Sequence, residues 1–105
     1  MRHRVALAGR GRAELAAYGM ADAEHQVQKE LAAVWPGARV DVLGVSRVGA
    51  HGHIVEEFAV DYRVTGTLEV DADDAASARP AALRLLRDRL SGTRHARIEW
   101  EPEKE

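Results

Sequence analysis

Strict alternation of apolar and polar residues is the strongest pattern in the chain. Between Phe58 and Val70 every second residue is apolar or glycine, and the residues between them are mostly polar. This period of two predicts a long β-strand with one buried face and one polar face. The same alternation over residues 4–17 places Val5, Leu7 and their successors on a buried face. We therefore predict two long strands, one in each half of the chain.

Two further segments have apolar residues at the spacing of an amphipathic helix. The first runs from about Ala21 to Trp35, and Gly37 predicts its end. The second runs from Ala75 to Leu90. The carboxylate of Asp74 favours its start, and Gly92 favours its end.

Two less regular segments predict the remaining strands. Residues 40–48 are rich in valine, but their apolar residues change parity between Val42 and Leu43, which predicts a β-bulge. Residues 94–101 alternate again, with apolar residues on one side and His95 on the polar side. The predicted element order is therefore β-α-β-β-α-β.

An internal repeat supports the assignment of the first segment as a strand. Shifting the chain by 55 residues aligns residues 11–45 with residues 66–100, and eight of these 35 pairs are identical. The competing interpretation is a first helix that begins near Arg12, where the residues favour a helix by propensity. The repeat, together with Gly19, favours the strand.

This element order predicts an α+β fold, a ferredoxin-like two-layer sandwich with a pseudo-twofold internal repeat. We expect a single domain with halves at about 4–48 and 57–101 and a flexible tail at 102–105. The antiparallel sheet is expected to have the strand order 4-1-3-2, with both helices on one face. Gly11 and Gly66 fall on the buried face of the two central strands, where a missing side chain lets a helix approach closely.

The composition narrows the chemistry that the chain can carry. Cysteine is absent, which excludes disulfides, thiolate metal sites and thiolate nucleophiles. The formal net charge of -2 argues against a general binder of polyanions, so we predict little affinity for nucleic acid. Apolar runs fall short of the ~18 residues of a membrane span, and the N-terminus lacks the apolar stretch of a signal peptide. We therefore expect no membrane contact and a cytoplasmic location.

Two histidines between the second and third strands are the most conspicuous candidates for a site. His51 and His53 flank Gly52 in a loop that the neighbouring strands are long enough to make protrude. Two histidines are too few for a closed metal site. We therefore predict no metal and no cofactor, and we assign this loop to contact with a partner.

Arginines on the polar face of the sheet are the second candidate. Arg10, Arg12 and Arg63 are predicted to lie there beside acidic residues and the small residues Ala6, Ala8 and Ala59. Small side chains let another surface come close, and alternating charges let the face pair with a two-fold copy of itself. We therefore predict that these arginines and the two histidines contact a partner, and that the chain forms a homodimer.

The hydroxyl residues give no motif of nucleophilic catalysis, because none lies in a G-x-S-x-G elbow. The sequence therefore favours a small non-enzymatic binding or regulatory module that associates with itself or with a protein partner. Two alternatives stay open. One is a small lyase or isomerase that uses His95 or His53 as its acid–base group. The other is an RNA-binding module on a sheet that resembles the RRM fold in topology.

Overall fold

The computed structural model of the protein describes residues 1–51 and 54–102, except the side chains of Ala50 and His51. Gly52, His53 and the predicted tail beyond Pro102 lie outside the described residues. Six elements follow one another along the chain: β1 (Arg2–Ala17), α1 (Met20–Val34), β2 (Arg39–His51), β3 (Val55–Asp71), α2 (Ala75–Leu90) and β4 (Glu99–Trp100). This order confirms the predicted one, and a first helix that begins near Arg12 is excluded.

The four strands form one antiparallel sheet in the order β2-β3-β1-β4. This is the predicted order read from the opposite edge. β1 and β3 lie at its centre and pair without a register shift from Arg2 opposite Asp71 to Ala17 opposite Glu56. Their length makes the molecule elongated, with extents of 55 × 25 × 19 Å.

One apolar core lies between the sheet and the two helices. α1 and α2 each contribute a stripe of buried residues at helical spacing, and β3 contributes its even-numbered residues. The most deeply buried large side chains are Tyr62, Leu31, Leu86, Val27, Val60 and Val64. Because both helices share this one cluster, they cover the same face of the sheet, and no helix of the described residues lies on the other face. The predicted two layers are confirmed.

The start of α2 shows why the chain turns from strand to helix at this point. Asp74 is the N-cap residue, and its carboxylate accepts a hydrogen bond from the backbone N–H of Ser77 at 2.8 Å. The Ser77 hydroxyl lies 3.4 Å from the N–H of Asp74 and completes a capping box. These bonds hold the pKa of Asp74 below its ordinary value, mainly through the Ser77 N–H. The predicted bounds of α2 are confirmed.

The edge strand β2 contains the predicted bulge and a second one. The register against β3 shifts between Val42 and Gly44, and again between Arg47 and Gly49. The extra residues, Leu43 and Val48, both have exposed side chains. A change of parity in the sequence therefore marks a real insertion in this strand.

The predicted fourth strand over residues 94–101 is wrong in extent, because β4 pairs with β1 only through Glu99 and Trp100. The preceding residues form turns. The Thr93 hydroxyl donates to the Leu90 carbonyl at 2.6 Å, and the His95 N–H donates to the Thr93 hydroxyl oxygen at 3.1 Å. Such local side-chain bonds compete with strand pairing and delay the start of β4.

Gly11 and Gly66 make room for aromatic rings rather than for a helix. A Cβ atom at Gly11 would lie 2.5 Å from Tyr62 Oη, and one at Gly66 would lie 2.8 Å from the Trp35 ring. The Trp35 indole N–H donates to the Thr67 carbonyl at 3.0 Å, which fixes the ring over the sheet. The predicted close approach to these two glycines is therefore confirmed, but the group that approaches is an aromatic side chain and not a helix backbone.

We expect Gly11→Ala to lower the free energy of unfolding by about 1–3 kcal/mol, since the added methyl group overlaps the Tyr62 ring. Gly44→Ala is the matched control, because nothing lies within 4 Å of a Cβ at this strand glycine. Chemical denaturation followed by circular dichroism measures both. Equal midpoints for the two variants would contradict the close packing at Gly11.

Candidate functional site

The face of the sheet that no helix covers brings the three predicted arginines together. Arg10 and Arg12 point from β1, and Arg63 points from β3 directly opposite Arg10. Arg12 lies opposite Asp61 in the same register. We call this surface the outer face. Its other charged members include Arg2, Arg4, Glu14, Arg39, Asp41, Glu69, Asp71 and Glu99.

Most charges of the outer face are compensated within the chain. Arg12 lies 3.7 Å from Asp61 and 3.9 Å from Glu14. Arg63 donates two hydrogen bonds to the Glu101 carboxylate, at 2.7 and 3.1 Å, and this contact raises the pKa of the guanidinium. Exposed pairs of this kind contribute at most about 1 kcal/mol each. Their larger effect is to hold opposite charges side by side on an open surface.

Arg10 differs from the other two arginines, because it has no ion pair with any of the described residues. Its side chain is exposed and lies between the like-charged Arg63 of β3 and the acidic Glu99 of β4. A guanidinium in this position is free to bind an external carboxylate. Of the predicted contact residues, Arg10 therefore has the greatest capacity for a new bond.

The small residues predicted on this face differ in accessibility. Ala8 is half-buried, whereas Ala59 is 0% exposed because it lies between Glu14 of β1 and Ser46 of β2. The expectation that Ala59 forms part of a contact surface is therefore wrong. Thr67 is exposed and lies opposite Ala6, so it adds to the small side chains of the outer face instead.

The two loop histidines are placed only in part. His51 is the last residue of β2, and its backbone pairs with Val55. Its side chain and the whole of His53 lie outside the described residues. The prediction that this loop contacts a partner stays a prediction.

A second polar cluster, which the sequence did not predict, crosses the core. His95 is only 2% exposed. Its Nδ1 lies 2.9 Å from Tyr62 Oη, and its Nε2 lies 2.8 Å from Glu30 Oε1. With a neutral ring, the Tyr62 hydroxyl donates to Nδ1 and the Nε2–H donates to the carboxylate. The expected position of His95 on the outer face is wrong, because the turns before β4 direct its ring inward.

The surroundings of this cluster explain its electrostatics. Glu30 is half-buried and is also paired with Arg94, whose Nε lies 3.2 Å from the same carboxylate oxygen. Burial, and then the charge of Glu30, raise the pKa of Tyr62 to about 12. The phenol therefore stays neutral and acts as a hydrogen-bond donor. The chain of bonds fixes the turn at His95 to α1 and β3.

Sequence reasoning missed this cluster, although two signals for it were present. Tyr62 carries a hydroxyl on the buried face of its strand, where a polar atom needs a partner. Glu30 follows Val27 at a helical spacing of three, so it borders the buried stripe of α1. Nothing in the pattern linked either residue to His95, whose neighbours alternate as in a strand.

As an acid–base centre the cluster has limited access. Both ring nitrogens of His95 are engaged, and His95 does not line the larger of the two surface grooves described for the molecule. The described residues contain no group of three or more histidines and acids placed to hold a metal ion. No helix of the described part of the chain is long and apolar enough to cross a membrane.

Comparison of the chain with protein-family models, with curated proteins and with solved structures finds no match. The geometry above therefore carries the functional argument alone.

We expect the stability of the protein to fall between pH 10 and pH 12 by up to about 1.4 kcal/mol per pH unit through Tyr62. The pKa of this phenol is about 12 in the folded chain and about 10 in the unfolded chain, so only the unfolded chain loses the proton in this range. Denaturation at a series of pH values measures the slope. Tyr62→Phe should remove this contribution, and Tyr18→Phe should keep it.

The tyrosinate absorbance of Tyr18→Phe gives an independent measurement, because Tyr62 is then the remaining tyrosine of the chain. Its titration is expected at about pH 12. A midpoint near the ordinary value of about 10 would contradict the buried hydrogen bond.

Proposed function

We propose that this chain is a small non-enzymatic association module and that its outer face binds a second copy of the chain. The observation that carries the proposal is the one-sided coverage of the sheet. α1 and α2 both pack on the inner face, and the long strands β1 and β3 leave a bare surface on the other. A two-layer fold with such a face either exposes it to solvent or covers it with a partner.

The same proposal includes a ferredoxin-like sandwich built from two similar halves. The element order and the sheet order agree with this arrangement. Gly11 and Gly66, which the repeat aligns, both lie under an aromatic ring on central strands. The rings come from positions that the repeat does not align, Tyr62 on β3 and Trp35 after α1, so the feature that the halves share is the missing side chain on a central strand.

The chemistry of the outer face favours a second copy over a partner of one charge sign. Arg12, Asp61 and Glu14 alternate in sign within a few ångströms. In a two-fold dimer each such group meets the same set in the opposite order, so an arginine of one copy can bind a carboxylate of the other. Arg10 can take a carboxylate of the partner without breaking a pair.

The two alternative functions have less support. An enzyme based on His95 would need to free a buried ring from Tyr62 and Glu30. An RNA-binding sheet needs stacking aromatics, and among the described residues the outer face carries none. Tyr18, 75% exposed at the end of β1, is the nearest candidate. The prediction of little affinity for nucleic acid is therefore kept.

We expect the wild-type chain to show a mass near twice 11.5 kDa in multi-angle light scattering at micromolar concentration. Thr67→Arg places a long cationic side chain among the small residues of the outer face. Because this side chain keeps a second copy from approaching closely, the mass should shift to that of one chain. Ala33→Arg on the exposed side of α1 is the matched control, since it adds the same side chain and charge away from the sheet. It should keep the dimer.

Two results would overturn the proposed dimer. A mass near 11.5 kDa for the wild type over a wide range of concentrations would leave the outer face solvated. Dissociation by Ala33→Arg together with an intact dimer of Thr67→Arg would move the interface to the helical side. Far-UV circular dichroism of both variants separates loss of the dimer from loss of the fold.

A further inference from the structure

The short strand β4 leaves most of the neighbouring edge of β1 open. β4 pairs only with Gly9 and Arg10, and the Glu101 N–H donates to the Ala8 carbonyl at 2.8 Å. Backbone groups of an antiparallel strand alternate in direction, so the N–H and C=O groups of Arg4 and Ala6 point to this same side. Within the described part of the chain, no strand pairs with them there. An edge of this kind is a template for an added strand.

A groove of about 560 Å³ runs along this open edge, between β1 and the first turns of α2. It begins beside Glu101 and Pro102. The groove therefore begins where β4 ends and lies beside the part of β1 that β4 does not pair with.

The two sides of the groove have different chemistry. Toward the helices it is lined by small and apolar side chains, Val5, Leu7 and Ala78. On its rim lie three guanidinium groups, those of Arg4, Arg63 and Arg79. Among the described residues, two carboxylates accompany them. Glu101 and its backbone carbonyl hold Arg63 and Arg79 in place, and Glu69 lies 3.8 Å from Arg4. The guanidinium groups therefore outnumber these carboxylates, and part of the rim is already ordered.

His3 is among the residues that line this groove. Its Nε2 is buried and has no hydrogen-bond partner among the described residues. A buried polar atom without a partner is costly, so this end of the groove is locally destabilised.

We propose that this groove binds an extended segment of a partner protein, which adds to β1 as a strand and alternates acidic and small apolar residues. Main-chain bonds to Arg4 and Ala6 supply the pairing. Successive side chains of a strand point to opposite faces, so one set meets the guanidinium groups and the other meets Val5 and Ala78. A segment with this period satisfies both sides of the groove.

A second copy of the chain fits the edge less well than an acidic segment. Two β1 strands paired across this edge would bring Arg2 and Arg4 of one copy against the basic residues of the other. Like charges directly opposite one another destabilise a strand pair. A strand added at this edge is thus a different contact from the proposed dimer on the outer face, although Arg4 and Arg63 belong to both surfaces.

The experiment measures fluorescence anisotropy of a labelled peptide that alternates Glu and Val and is as long as the open edge, titrated with the full chain. Saturable binding is expected. A peptide that alternates Lys and Val, and the Glu-Val peptide with alternate backbone nitrogens methylated, should each bind at least about tenfold more weakly. The first control tests the charge of the rim, and the second tests strand pairing.

Protein variants test the assignment to this edge. Ala6→Pro removes an N–H that points into the groove, and Ala16→Pro removes one on the same edge of the same strand outside the groove. Arg4→Ala and Arg47→Ala form a second matched pair, for the case that proline disturbs folding, since each removes an exposed strand arginine with one surface ion-pair partner or more, inside and outside the groove. We expect about tenfold weaker binding for each groove variant and unchanged binding for each control.

Three outcomes would overturn the proposal. The first is the absence of saturable binding by the Glu-Val peptide. The second is equal binding by the methylated peptide or by both groove variants. The third is binding that appears only in a variant that ends at Pro102, which would assign the groove to the chain itself. Loss of the dimer in Ala6→Pro without peptide binding by the wild type would assign it to a second copy.

Discussion

The uninterrupted pairing of β1 with β3 is the constraint on which the rest of the structure depends. Side chains of a strand alternate between faces, so a slip of one residue would move every core residue of one strand to the outer face. Gly11 opposes such a slip, because it lies directly opposite Tyr62, whose ring covers it. A slip of one residue would bring Arg10 or Arg12 opposite Tyr62 instead.

This same constraint explains what the sequence could predict. β1 and β3 each keep one apolar face over their whole length, so alternation identified both strands and their faces, and the repeat with Gly19 decided β1 against a helix from Arg12. The bulge of β2 was visible because an inserted residue changes parity at Val42 and Leu43. Residues 94–98 alternate equally well but do not pair, because bonds from Thr93 and His95 turn the chain first. Local pattern does not distinguish these two outcomes.

The two candidate sites also differ in whether strand alternation alone determines their positions. Arg10, Arg12 and Arg63 could be placed together because their position follows from strand parity alone. The cluster of Glu30, His95 and Tyr62 could not, because it joins α1, a turn and β3 across 65 residues of sequence. Its members become partners only when the helix lies on the sheet. Buried polar contacts of this kind depend on the tertiary fold, which periodicity does not describe.

The buried histidine and the open edge are two consequences of one local arrangement. His95 bonds inward to Glu30, so the chain reaches the sheet only at Glu99 and covers little of β1. At the boundary of this short strand, Arg63 belongs to the outer face and also to the rim of the groove, where Glu101 holds it. A partner on either surface that engages this guanidinium changes its bond to Glu101, and through it the other surface. Coupling between two such sites is reciprocal, so the dimer and the added strand would each alter the affinity of the other by the same factor.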